Sequence, residues 1–105
     1  MSQAKYRNQK TTLDGIQFDS RTEAARYQEL LFLVRAGVIT HLELQPRYNL
    51  VVNGQKLGFY KADFRYYDTA TGETIVEDVK GVKTAVYSLK KKLVRALYGI
   101  EIVEI

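Results

Sequence analysis

Asn53-Gly54 is the tightest constraint in this chain. An Asn-Gly pair readily takes the two left-handed conformations that a two-residue hairpin turn requires. Strand-like runs flank it, Leu42 to Val52 before and Gly58 to Tyr67 after. The turn therefore predicts that these runs pair as antiparallel neighbours. Pro46 lies inside the first run and lacks a ladder N–H, so an edge position or a bulge is expected there. Ala70-Thr71-Gly72 marks another turn, and Glu73 to Lys80 reads as the third strand.

Helical periodicity frames this meander. Ser20 and Glu23 have capping-box spacing, and Tyr27, Leu30, Leu31 and Val34 follow as a buried stripe that Gly37 ends. A small hairpin around Asp14-Gly15 precedes this helix. Thr84 to Tyr98 predicts a second helix, with Val86, Leu89, Leu93 and Leu97 on its apolar side and Gly99 closing it. Ile100 to Ile105 reads as a last short strand that returns in parallel to the third. The order helix, three strands, helix, strand implies an α/β (α+β) fold with a mixed four-stranded sheet flanked by helices.

A chain of 105 residues with 46% hydrophobic content supplies one modest core, so residues 1–105 are expected to form one domain. There is no cysteine, which excludes disulfides, thiolate metal sites and cysteine nucleophiles. Met1 to Lys5 is not followed by an apolar run, so no signal peptide is expected. The longest apolar stretch, Leu30 to Val34, is too short to span a bilayer, and a cytoplasmic protein without membrane contact is expected. The net charge is +4 and unevenly spread. Lys80, Lys83, Lys90, Lys91, Lys92 and Arg95 form a run without an acid. Lys5, Arg7 and Lys10 make residues 1–10 a basic arm, expected to be mobile. Such local positive potential suits a polyanion, although a solvated helix face gives the same pattern.

The chemistry concentrates in Ile75-Val76-Glu77-Asp78-Val79-Lys80-Gly81. Strand alternation puts Asp78 and Lys80 on one face and Ile75, Glu77 and Val79 on the other. Glu77 is then a salt-bridge residue, unless a bulge reverses the assignment. Asp63 lies mid-strand in the neighbouring run, where aspartate is disfavoured. It shares a face with Lys61 and Arg65, as a solvent-facing ladder would, yet strand pairing also brings it towards Asp78. Two close carboxylates repel and call for a cation, and Mg²⁺ suits oxygen ligands. Lys80 would then orient the attacking water or neutralise a phosphate. Glu23 lies on the core-facing stripe, where it serves as helix cap or reaches the same site.

At these residues the chain resembles the PD-(D/E)XK nuclease superfamily. The resemblance rests on Asp63, on Asp78-Val79-Lys80 as the acid-x-Lys motif, and on Glu23 as the helix glutamate. Ala62 stands where a proline commonly precedes the first acid. More closely, Asp14 to Ser20, Glu23-Ala24, Leu44-Gln45-Pro46, Ala62-Asp63-Phe64 and Glu77 to Gly81 resemble a small bacteriophage-encoded family of uncharacterised proteins. That family is assigned to the same superfamily, with Holliday-junction resolvases and restriction endonucleases among its relatives.

The resemblance implies a restriction-endonuclease-like αβββαβ core and Mg²⁺-dependent cleavage of DNA in phage DNA metabolism, inside the host cytoplasm. Mn²⁺ is expected to substitute. Asp63, Asp78 and Glu23 are the expected metal ligands, and Lys80 completes the catalytic set. Lys83, Tyr87 and Lys90 on one helix flank, with Arg65 and Arg47, are candidate DNA contacts. Gln45 is either a supporting residue or an ordinary strand-surface amide, and His41 reads as a surface loop residue. A homodimer is expected, because so small a chain offers little DNA-binding surface and two sites suit a duplex or a branched junction. The rival readings are a DNA-binding or replication accessory protein that keeps the fold without the chemistry, and an interaction module whose charges are all surface salt bridges.

Overall fold

The computed structural model describes residues 10–79 and 83–105. The expected basic arm, apart from Lys10, and Lys80 therefore lie outside the described residues. Strands β1 (Thr11–Leu13) and β2 (Ile16–Phe18) form a small hairpin. Asp14 and Gly15 turn it with φ of 53° and 75°. Helix α1 (Arg21–Arg35) follows, capped by Ser20, whose Oγ accepts from the Glu23 N–H at 3.1 Å.

The long strands expected on either side of Asn53-Gly54 are each broken in two. The first becomes β3 (Ile39–Leu44) and β4 (Arg47–Val52), and the second becomes β5 (Gln55–Lys61) and β6 (Phe64–Asp68). β4 and β5 make a separate two-stranded ribbon around the expected turn, with Asn53 and Gly54 at φ of 51° and 79°. β3 and β6 instead join β7 (Thr74–Asp78) and β8 (Ile102–Glu104) in a mixed sheet of order β3-β6-β7-β8. Only the β7–β8 pair is parallel, and α2 (Ala85–Tyr98) makes the crossover between them.

The break has a local cause. Pro46 cannot donate to a ladder, and Gln45 before it takes a φ of 53°. The two strands turn the corner together: the Gln45 N–H donates to the Asp63 carbonyl at 2.9 Å, and the Ala62 N–H to the Pro46 carbonyl at 3.0 Å. The irregularity expected at Pro46 is thus a corner shared by two strands. Asp63 sits at that corner rather than mid-strand.

The core is split between the two faces of the sheet. On the α1 face, Phe18, Ala24, Tyr27, Leu30, Ile39, Phe64 and Tyr66 pack together. On the other face, α2 and the ribbon enclose Tyr48, Leu50, Tyr60, Ala62, Val76, Tyr87, Val94 and Ile102. The apolar stripe of α2 differs from expectation. Tyr87 and Val94 are buried and Leu93 is partly so, whereas Val86, Leu89 and Leu97 are exposed. The helix is rotated so that Tyr87 enters the core, where its hydroxyl donates to Glu104 Oε2 at 2.8 Å. Val34 of α1 is likewise exposed. His41 lies within β3, not in a loop. It takes a φ of 57° where the β3–β6 register shifts, which turns its ring outward. Among the described residues, no helix is long and apolar enough to cross a membrane.

The α1 face also buries a charge pair. Glu77 is 1% exposed, and Arg26 grips it with Nε–Oε1 at 2.9 Å and Nη2–Oε2 at 2.6 Å. The Tyr66 hydroxyl donates to the same carboxylate. Removing one partner of such a pair strands a charge in low dielectric. Arg26→Ala should therefore lower unfolding stability by about 3 kcal/mol, read from urea denaturation. Arg95→Ala, which breaks only the exposed 3.4 Å pair with Glu101, should leave the urea midpoint unchanged.

Candidate active site

β6 and β7 bring the two sequence-singled aspartates together. Phe64 pairs with Glu77, and the Asp63 N–H donates to the Glu77 carbonyl at 3.1 Å, so Asp63 arrives opposite Asp78. Asp63 Oδ2 accepts from the Val79 N–H at 2.7 Å. Its backbone is held on both sides, by Glu77 and by Gln45, so the corner fixes its position. Gln45 contributes through its N–H, while its side chain lies at an exposed position.

Asp78 is 1% exposed and faces α2 and the ribbon, away from Glu77. The Tyr60 hydroxyl, carried by β5, donates to Asp78 Oδ2. Burial first, then this bond, pushes the Tyr60 phenol well above its usual range. Glu23 is 5% exposed at the start of α1. It lies one helical turn before Arg26, and its charge acts on Asp63.

Electrostatics ties the acids into one group. Asp63 is pushed up to about 8, chiefly by burial, then by its hydrogen bond with Asp78 and by the negative charges of Asp78 and Glu23; the Val79 N–H opposes this. One proton shared between neighbouring carboxyls is the ordinary way to relieve such repulsion, and a cation is another. Among the described residues, no group of three or more carboxylate or imidazole side chains is arranged to hold a metal ion. Glu23, Asp63 and Asp78 thus do not form a closed three-ligand cage. The Asp63–Asp78 pair remains a fit for Mg²⁺, which is commonly bound through one or two carboxylates with waters filling the other positions.

The expected DNA contacts disperse. Lys83 Nζ lies 2.9 Å from Glu104 Oε1, and Lys91 Nζ lies 3.2 Å from Oε2 of the same carboxylate, which Tyr87 also binds. Lys90 instead leans towards the ribbon, with its ammonium 5.6 Å from the Phe59 ring centre. The flank expected to carry Lys83, Tyr87 and Lys90 is therefore divided between two partners. Arg65 is committed to Glu43 at 2.9 and 2.6 Å and to the Tyr48 hydroxyl at 2.9 Å. Arg47 stacks over Phe59 at 3.8 Å.

Sequence reasoning missed Tyr60, Arg26 and Glu104. Arg26 carried a readable sign, because it stands three residues after Glu23 and so near the same helix side. Tyr60 and Glu104 carried none, since their partners are set by the strand break and by the parallel return of β8.

The raised Asp63 gives a pH signature. Its folded value exceeds the unfolded value of about 3.9, so the stability it confers is full below that value and is lost as pH rises through about 8. In EDTA, wild-type Tm should fall relative to Asp63→Asn across that interval. Parallel Tm–pH curves for the two proteins would remove the coupling.

Comparison with known proteins adds a family but no activity. No curated protein and no solved structure matches the chain significantly. A family model described as "Protein of unknown function (DUF1064)" matches residues 3–102, nearly the whole chain, and the chain belongs to that family.

Proposed function

We propose that the protein is a metal-dependent deoxyribonuclease with a restriction-endonuclease-like αβββαβ core. The observation that carries this reading is the opposition of Asp63 and Asp78 across β6 and β7, where burial and then the neighbouring acids raise the Asp63 carboxyl. The element order supports it when each bent strand, β3 with β4 and β5 with β6, counts as one.

Asp63 and Asp78 would hold Mg²⁺, with Mn²⁺ as a substitute, and Glu23 adds negative charge from α1. When bound, the ion supplies Lewis-acid polarisation of the scissile phosphate and a lowered pKa for a water. The corner at Gln45-Pro46 fixes Asp63, and the Tyr60 hydroxyl fixes the Asp78 rotamer. Lys80, two residues past Asp78 in sequence, would orient the attacking water or neutralise charge on the phosphate. Two copies would suit a duplex or branched substrate in phage DNA metabolism in the host cytoplasm.

One observation favours a second reading, a DNA-binding accessory protein without cleavage. Asp78 already has the Tyr60 hydroxyl as a partner, and among the described residues no three-ligand cage exists.

Two measurements separate these readings. Calorimetry should show Mn²⁺ binding by the wild type and none by Asp78→Ala; equal binding by both would remove the metal site. Incubation with Mn²⁺ and branched, duplex or single-stranded DNA should give cleavage by the wild type. Lys80→Ala should lower the rate by about 100-fold or more. Tight DNA binding by a wild type that cuts none of the three substrates would establish the accessory reading instead.

A further inference from the structure

We propose that the cleft between β5 and the start of α2 binds an unpaired nucleotide of single-stranded DNA, with Phe59 and Arg47 as its stacking platform. This deepens the nuclease reading by naming a substrate class, and it relies on that reading only for where the scissile phosphate would lie.

The cleft has a volume of about 300 Å³, and Phe59, Tyr60, Lys61, Val86, Tyr87 and Lys90 line it. Phe59 is 38% exposed although it sits in a strand. The Arg47 guanidinium lies 3.8 Å from its ring centre and the Lys90 ammonium 5.6 Å. An aromatic ring and a guanidinium plane are the two side-chain surfaces on which unpaired bases stack, and a paired base in a helix offers no free face to them. Lys61 and Lys90 stand beside this platform to meet the flanking phosphates.

Charge separates this cleft from its neighbours. The cleft at His41 and Tyr67 includes Glu43, and the one along α2 and β8 includes Glu101 and Glu104. In the latter, Lys83 and Lys91 already face Glu104. Among the described residues, the lining at Phe59 has cations and no carboxylate, so a phosphodiester chain meets no like charge from them there. Position adds a further argument. Tyr60 lines the cleft, and its hydroxyl reaches Asp78. A strand whose base rests on Phe59 thus runs beside the residue that leads to the acid pair.

The test uses a short fluorescein-labelled single-stranded DNA and a duplex of the same length, both titrated by anisotropy in EDTA so that cleavage plays no part. Phe59→Leu should weaken single-strand binding about tenfold. Its duplex binding and its salt slope should stay unchanged. Phe59→Tyr, which keeps the ring, should bind like wild type, and a wild-type melting curve for Phe59→Leu confirms that it is folded. Lys90→Ala should reduce the single-strand salt slope by about 0.7. Absence of single-strand binding by the wild type overturns the proposal. So does unchanged binding by Phe59→Leu, or an equal loss on both DNA forms. A wild type that binds through Phe59 but never cuts DNA would overturn only the nuclease reading. A cutting enzyme with unchanged Phe59→Leu binding would overturn only this one.

Discussion

Two adjacent acids on β7 face opposite ways, and most of the molecule is arranged around that separation. Glu77 enters the α1 face, where Arg26 and Tyr66 neutralise and bond it. Asp78 enters the other face, where the Tyr60 hydroxyl donates to it. Buried carboxylates without compensation are costly, so each face had to supply a distinct answer. On one side the answer is a fixed internal cation. On the other it is a hydroxyl and a neighbouring carboxyl, Asp63, that burial and the adjacent acids push above the usual carboxylate range.

The shared corner at Gln45-Pro46 and Ala62-Asp63 gives the second face its shape. It redirects both strands out of the main sheet, so the ribbon of β4 and β5 lies over Val76 and Asp78 with α2. The same bend delivers Asp63 at the sheet end and Tyr60 just before it. An unbroken pair of strands would carry both residues along a flat sheet, and Tyr60 would have no route to Asp78.

Much of this was legible in the chain. The turn residues, the helix cap at Ser20, the parallel return of the last strand and the opposite facing of Glu77 and Asp78 follow from local chemistry with a fixed period. The break in the two long strands was only hinted at by Pro46, because a run of alternating residues does not record that its hydrogen-bond partner changes midway. The burial of α2 was misjudged for a related reason. Helical spacing identified Val86, Leu89 and Leu97 as apolar, but a tyrosine with a carboxylate partner on β8 set the rotation. Pairings between distant elements, such as Tyr60 with Asp78 and Arg26 with Glu77, leave no periodic trace in a single sequence.

The parallel pairing of Asp78 with Glu104 bears on how the chain reaches this state. β3, β6 and β7 can zip through hairpin-like steps, whereas β8 must wait for α2 and close a longer loop. Until it docks, β7 is the rim of an incomplete sheet, with unpaired backbone groups that could recruit a foreign strand. Charges set within a rim strand discourage such recruitment, since a second strand would have to bury them unmatched. Glu77 and Asp78 would thus guard the nascent sheet against aggregation before the fold is complete.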